Sequence, residues 1–279
     1  MLVRGVKMRW IYLLAAALLL AAPLVADAEL TGRGVRPVSA GAHPSALPSA
    51  GASATASPSA SPSPGVYADR LPRFDKAPPA VRTAAVAEDG AVPWVARVPT
   101  DQRVAFLTID DGWVKHPEAA ELLREAHVPV TLFLTINAIS DNPEYFRTLQ
   151  NLGAVIEAHT ITHNKLSGLS YDAQRREICG SADRLGELYG RRPVLFRPPF
   201  GEKDTTTLRA VRDCGMKAAF FWKESVNQGN VWYQEVKVVQ PGDIILMHFR
   251  DQFVEDFIAA LQGMKRAGLT PARLEDYYS

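Results

Sequence analysis

The sequence predicts an α/β protein in which a largely parallel sheet is wound with helices. Two observations carry that class. Past Thr100, short β-branched or aromatic runs alternate with amphipathic stretches, as strands and crossover helices do in a wound sheet. The residues with most chemical potential, a pair of aspartates, two spaced histidines, an arginine-proline run and a further histidine, each fall where an apolar run stops. Strand ends are where such folds assemble their sites.

The strands read from the sequence are Val104–Ile109, Val130–Leu134, Val155–Glu157, Val194–Phe196, Ala218–Trp222 and Ile244–Met247. Between them lie helices over Pro117–Ala126, Pro143–Leu152, Tyr171–Tyr189, Thr205–Cys214 and Phe253–Ala267. Ile178, Ala182, Leu185 and Tyr189 share one helical face, and so do Phe253, Phe257, Leu261 and Met264. Ser170 suits an N-cap, and Gly190, Gly215 and Gly268 stop three helices. No internal repeat is visible.

Ahead of this domain the composition changes three times. Residues 1–28 have the build of an export signal: Arg4, Lys7 and Arg9, an apolar stretch from Trp10 to Val25, then Ala26-Asp27-Ala28 with cleavage after Ala28. An uncleaved membrane anchor is the alternative, but the stretch is shorter than the roughly 20 residues of a span, and Pro23 interrupts its end. Residues 29–66, rich in Ala, Ser and Pro, predict a disordered tether. Residues 67–100, with Pro72, Pro78, Pro79, Pro93 and Pro99, predict a loosely structured, extended lead-in, and 101–279 forms the folded domain. A secreted or cell-envelope location follows, with membrane contact only through the N-terminal segment. A formal net charge of +1, both signs interspersed, gives no reason to expect nucleic acid. Cys179 and Cys214 are the only cysteines, and spacing leaves open whether they pair.

Asp110-Asp111-Gly112 by itself reads as a solvated turn. At the end of a strand, though, two neighbouring carboxylates call for a cation, a proton or water. His159 and His163 stand four apart as in helical zinc proteases, but Thr160 occupies the place of the protease glutamate, and Thr-Ile-Thr favours a loop. Arg197-Pro198-Pro199-Phe200-Gly201 sets a cation beside a stiff turn that leaves the Phe200 amide free. His248 ends the last strand. Because wound sheets bring these ends to one face, an aspartate and two histidines could hold a divalent metal such as Zn²⁺ with coordination positions left open.

In this order the four runs closely resemble the polysaccharide deacetylase family, the NodB homology domain of carbohydrate esterase family 4. Thr108-Ile109-Asp110-Asp111-Gly112 is similar to its Thr-Phe-Asp-Asp-Gly, His159 to His163 to its His-Ser/Thr-x-x-His, Arg197-Pro198-Pro199-Phe200 to its Arg-x-Pro-Tyr/Phe, and Leu246-Met247-His248 to its Leu-x-His. The resemblance runs from about residue 101 to the C-terminus. It implies a distorted (β/α) barrel of the NodB type and metal-dependent removal of acetyl groups from an N-acetylated polysaccharide. With a signal and a wall-length tether, peptidoglycan is the first expected substrate, ahead of chitin oligomers and acetylxylan, and O-deacetylation stays open.

The resemblance further implies that Asp111, His159 and His163 hold the metal, Zn first, with Co, Ni or Mn as alternatives. Asp110 would be the general base, His248 the general acid, and Arg197 a third catalytic residue; the Phe200 amide, Pro199 and Trp222 would line the oxyanion and substrate pocket. One motif departs from the family. Its Asp-x-x-Asp-Trp stretch is replaced by Phe221-Trp222-Lys223-Glu224-Ser225-Val226-Asn227-Gln228, so that Glu224 is expected to brace Arg197, and Trp222 or Trp232 to wall the pocket. The alternative reading is a non-catalytic glycan-binding relative, whose signature would be loss of Asp110 or His248. Both are present.

Overall fold

A computed structural model describes residues 65–83 and 90–278. The signal segment and nearly all of the tether lie outside the described residues. In chain order the elements are β1 (Trp94–Val95), β2 (Val104–Asp111), α1 (Ala119–Ala126), β3 (Thr131–Leu134), α2 (Ile136–Ile139), α3 (Pro143–Asn151), β4 (Val155–Ala158), α4 (Tyr171–Tyr189), β5 (Leu195–Phe196), α5 (Thr205–Asp213), β6 (Ala218–Phe220), β7 (Glu224–Asn227), β8 (Asn230–Tyr233), β9 (Ile244–His248), α6 (Phe253–Arg266) and β10 (Thr270–Pro271). All six strands and five helices expected from the sequence are present. Four short elements join them: β1, α2, the β7–β8 hairpin and β10.

The strands form one sheet in the order β1-β6-β5-β4-β3-β2-β9-β7-β8, with β10 beside β2. Every pairing is parallel except that of β7 with β8. The sheet curls into a distorted half-barrel. Its central strand, β2, is buried on both faces, which is why it reads as a continuous apolar run instead of an alternating one. Ala105, Leu107 and Ile109 pack toward the helices with residues such as Leu122, Phe146, Phe257 and Leu261. Val104 and Phe106 point into the barrel, where Phe133, Leu195, Phe220, Ile244 and Tyr277 fill its lower part. Above that plug, the inward positions of β2 become Thr108 and Asp110.

The lead-in is more firmly held than its proline content suggests. Tyr67 and Leu71 are buried in the helix-side core, and the Tyr67 amide donates to the Glu125 carboxylate in the last turn of α1 at 2.8 Å. Lys265 of α6 donates to the carbonyl of Arg73 at 2.6 Å. Further on, Val95 and Val98 enter the barrel core and β1 pairs with β6. The prolines keep the segment extended, and its apolar residues, spaced between them, fasten it. On α4, Ser170 caps the N-terminus by accepting from the Ala173 amide, and Gly190 ends the helix in a left-handed conformation. Cys179 of α4 and Cys214 at the C-cap of α5 form a disulfide. Among the described residues no helix is long and apolar enough to cross a membrane.

Candidate active site

The C-terminal ends of β2, β4, β5 and β9 bring the sequence-predicted residues together. Gly112 lets the chain turn away directly after the aspartates: its φ is +103°, and a Cβ there would lie 2.8 Å from Ile139 and 2.9 Å from Phe146. Of the six non-glycine residues with positive φ among the described residues, four belong to this site: Asp111, Thr160, His163 and Phe200. Such conformations persist only where the surroundings impose them.

The run from His159 to His163 is a loop, as Thr-Ile-Thr predicts. Thr135 donates its hydroxyl to the His159 carbonyl at 2.8 Å, and the amides of Ile136 and Asn137, in α2, donate to the carbonyls of Thr160 and Ile161. From the other side, Glu177 of α4 accepts from the amides of Ile161 and Thr162 at 3.0 and 2.9 Å and from the Thr162 hydroxyl at 3.0 Å. Sequence reasoning missed Glu177, because its partners are 15 and 16 residues away and no local pattern joins them.

Asp111, His159 and His163 each offer a ligand atom within 4.8 Å of the others. Oδ1 of Asp111 lies 3.1 Å from Nε2 of His163 and 3.4 Å from Nε2 of His159. Nδ1 of His159 is 2.6 Å from the Arg197 carbonyl, which can only accept, so the proton of a neutral His159 sits on Nδ1 and the Nε2 lone pair faces the carboxylate. Oδ1 of Asp111 is buried without a hydrogen-bond donor among the described residues. A lone pair and a carboxylate oxygen facing each other require positive charge between them. These residues therefore fit a divalent cation with three protein ligands and open positions. The electrostatics agree: burial alone would raise Asp111, yet the two imidazoles and His248 hold it below the carboxylate range. Burial would lower His159, but Asp110 and Asp111 outweigh it and raise its pKa.

Asp110 is 2% exposed and has one oxygen engaged: Arg197 donates from Nη1 to its Oδ1 at 2.7 Å. Its Oδ2 faces His159 Nε2 at 3.8 Å. Arg197 is entirely buried, donating also to the Thr108 hydroxyl at 2.8 Å and the Phe221 carbonyl at 3.2 Å. Its guanidinium lies over the Phe133 ring at 4.4 Å. Fully buried, Arg197 is placed to hold Asp110 instead of reaching a substrate itself.

Two more expectations are resolved by the backbone. Glu224 does not brace Arg197: in register with Ile245, it lies on the strand face turned from the barrel interior, where it meets Asp243. Burial and the neighbouring Asp243 push its pKa up to about 9, and Arg97 pairs with that aspartate. Asp110 and the Phe221 carbonyl take its expected place on Arg197. Trp222, half-buried, stacks on Phe221 with centroids 4.1 Å apart and lies 5.9 Å from the Arg197 guanidinium.

After β5, Pro199 is buried, and the exposed Phe200 ring stands edge-on to His163 with centroids 4.9 Å apart. The amides of Gly201 and Glu202 bond back to Pro198 and Pro199, while among the described residues no carbonyl takes the amide of Phe200. Gly201 is required here, since a Cβ would lie 2.1 Å from the Phe221 ring. His248 lies opposite Asp110 in the sheet register and makes no side-chain hydrogen bond among the described residues. Burial lowers its pKa against the pull of Asp110 and Asp111.

Residues 97–219 match the family model for polysaccharide deacetylases. An uncharacterized protein of Streptomyces coelicolor is 38% identical over 191 residues, covering 66% of this chain and 77% of that protein. The chain belongs to the polysaccharide deacetylase family. Its curated relatives include peptidoglycan, chitooligosaccharide and xylan deacetylases. The peptidoglycan-N-acetylmuramic acid deacetylase PdaA of Bacillus subtilis is 24% identical over 190 residues, covering 63% of this chain and 72% of that enzyme. The family fold recurs in the crystal structure of a carbohydrate esterase family 4 pseudoenzyme from Bacillus anthracis, with a TM-score of 0.61, 19% identity and coverage of 69% of this chain and 71% of that one.

Proposed function

We propose that this member of the family is a divalent-metal-dependent deacetylase of an N-acetylated cell-wall glycan, with peptidoglycan as the first substrate. The observation that carries the reading is the cluster of Asp111, His159 and His163 beside Asp110, whose second oxygen is left free by its bond to Arg197. Zn²⁺ suits this donor set, with Co²⁺, Ni²⁺ and Mn²⁺ as alternatives. A bound divalent cation supplies a Lewis acid for the acetyl carbonyl and lowers the pKa of water.

The chain's own residues supply the rest. Asp110 removes a proton from the attacking water while Arg197 keeps its other oxygen fixed. The Phe200 amide donates to the oxyanion, a contact worth about 3 kcal/mol where such donors have been removed. His248 passes a proton to the departing amine. It does so from its protonated form, which burial disfavours and the neighbouring Asp110 and Asp111 favour. Trp222 and Pro199 flank the acetyl group.

The N-terminal signal and the Cys179–Cys214 bond support action outside the cytoplasm, where disulfides persist. A non-catalytic glycan-binding relative is the second reading, favoured by the likeness to a pseudoenzyme fold. The presence of Asp110 and His248 supports turnover over that alternative. The test is acetate release by the purified exported chain from peptidoglycan, chitin oligomers and acetylxylan. Activity should disappear with chelator, return with Zn²⁺ or Co²⁺, and be lost in Asp110→Asn. Release unaffected by chelator would remove the metal from the mechanism, and binding of glycans without acetate release would favour the second reading.

A further inference from the structure

Trp232 is 62% exposed, the most exposed tryptophan among the described residues, although it sits on a strand of the main sheet. Its direction follows from the register. Trp232 pairs with Ser225, Ser225 with Leu246, and Leu246 with Thr108. These four share the inner face of the sheet, because Thr108 meets Arg197 there. Two residues further along the same face of β2 and β9 are Asp110 and His248. Two strand spacings put the backbone of Trp232 about 10 Å from that of Leu246.

The hairpin that carries the indole is anchored from behind. Val226 is buried, Val231 and Tyr233 pack into the helix-side core, and the Gly229 amide donates to Asp256 of α6 at 2.8 Å. Arg250, two residues after His248, donates to Asn227 Oδ1 at 3.3 Å and ties the hairpin tip to the loop leaving the site. On the indole's own face stand Ser225, Asn227 and Asn230. Packing does not use the ring: a rigid strand holds it in water, surrounded by short hydroxyl and amide groups. A flat aromatic face with polar neighbours matches a pyranose ring, which is apolar on its C–H face and hydroxylated at its rim.

We propose that Trp232 is a stacking platform for a second sugar ring of the chain whose acetyl group is removed, so that the enzyme reads a polymer instead of a single sugar. The inference rests on the proposed deacetylase function. The test compares wild type, Trp232→Ala and Trp232→Tyr on N-acetylglucosamine oligomers of one to six rings and on peptidoglycan, following acetate release and, by calorimetry, oligomer binding. Trp232→Ala should lower the preference for chains of three or more rings over a single ring about tenfold, through KM and the oligomer dissociation constant. Trp232→Tyr should restore most of it. If Trp232→Ala acts on and binds every length as wild type does, or loses single rings and long chains equally, the platform is refuted while the deacetylase reading stands. If wild type neither binds nor deacetylates any of these glycans, both fall.

Discussion

Arg197 and Asp110 form an ion pair inside the barrel, 2.7 Å apart and closed from solvent, with the guanidinium lying over Phe133. A buried pair of this kind contributes little net stability, but removing one member strands a charge. Arg197→Met should destabilise the fold by about 3–5 kcal/mol at neutral pH, measured by urea unfolding. Arg197→Lys keeps the charge but loses the planar fork that reaches Thr108, Asp110 and the Phe221 carbonyl together. Its kcat should fall roughly 100-fold with KM little changed, the signature of a displaced base.

Glu177 should be read out through metal affinity. Its carboxylate fixes the loop between the two histidines, so Glu177→Ala should weaken Zn²⁺ binding by roughly 10–100-fold in a chelator competition. Glu177→Gln keeps an acceptor for the amides and should fall between. An unchanged Zn²⁺ affinity in Glu177→Ala would assign the residue to fold stability alone.

The closed end of the barrel predicts a pH dependence of stability. Glu275, buried and close to Glu157, has its pKa pushed up to about 8, chiefly by burial and then by that second carboxylate. Glu157 itself accepts from Arg191 and from the amides of Val194 and Leu195. The folded state therefore holds a proton on Glu275 that the unfolded chain gives up near pH 4.5. Between those values the native state binds more protons than the unfolded one, so this group's contribution to stability declines as pH rises from about 4.5 to 8 and is constant above. Glu275→Gln should flatten the melting temperature over that window and raise it at pH 9, by calorimetry. An identical slope in wild type and variant would refute the assignment.

The Cys179–Cys214 bond closes a loop across a sequence separation of 35. Chain-entropy arguments give about 3–4 kcal/mol for a loop of that length. Replacing both cysteines by serine should lower stability by that order. Glu177 lies on the same helix, two residues before Cys179, so the double variant should also bind Zn²⁺ more weakly at temperatures near its midpoint. A metal affinity tracking the wild type up to the transition would separate the two effects.

The sequence made the inner frame of the site legible because each chemical residue follows a strongly apolar strand, and parallel strands deliver their ends to one place. Asp110, Asp111, His159, Arg197 and His248 were readable for that reason. Glu177 was not, since a helix face tells nothing of which distant loop it will meet. Glu224 was misplaced through parity: shifted by one residue, the same carboxylate would have faced the barrel interior. The β7–β8 hairpin escaped notice because Glu224–Asn227 and Asn230–Tyr233 are each four residues long and carry polar side chains on one face. Gln228-Gly229, both at positive φ, is the signal that could have revealed it.

The strap over the helices has a mechanical meaning. Tyr67 is bonded in the last turn of α1 and Arg73 near the end of α6, and in a strand-helix alternation those turns lie at the end of the barrel away from Asp110. Any tension reaching the domain along the backbone at Gly65 is borne by the helix layer, as a tool is held by its handle. The lead-in and the candidate site thus occupy opposite ends of the barrel.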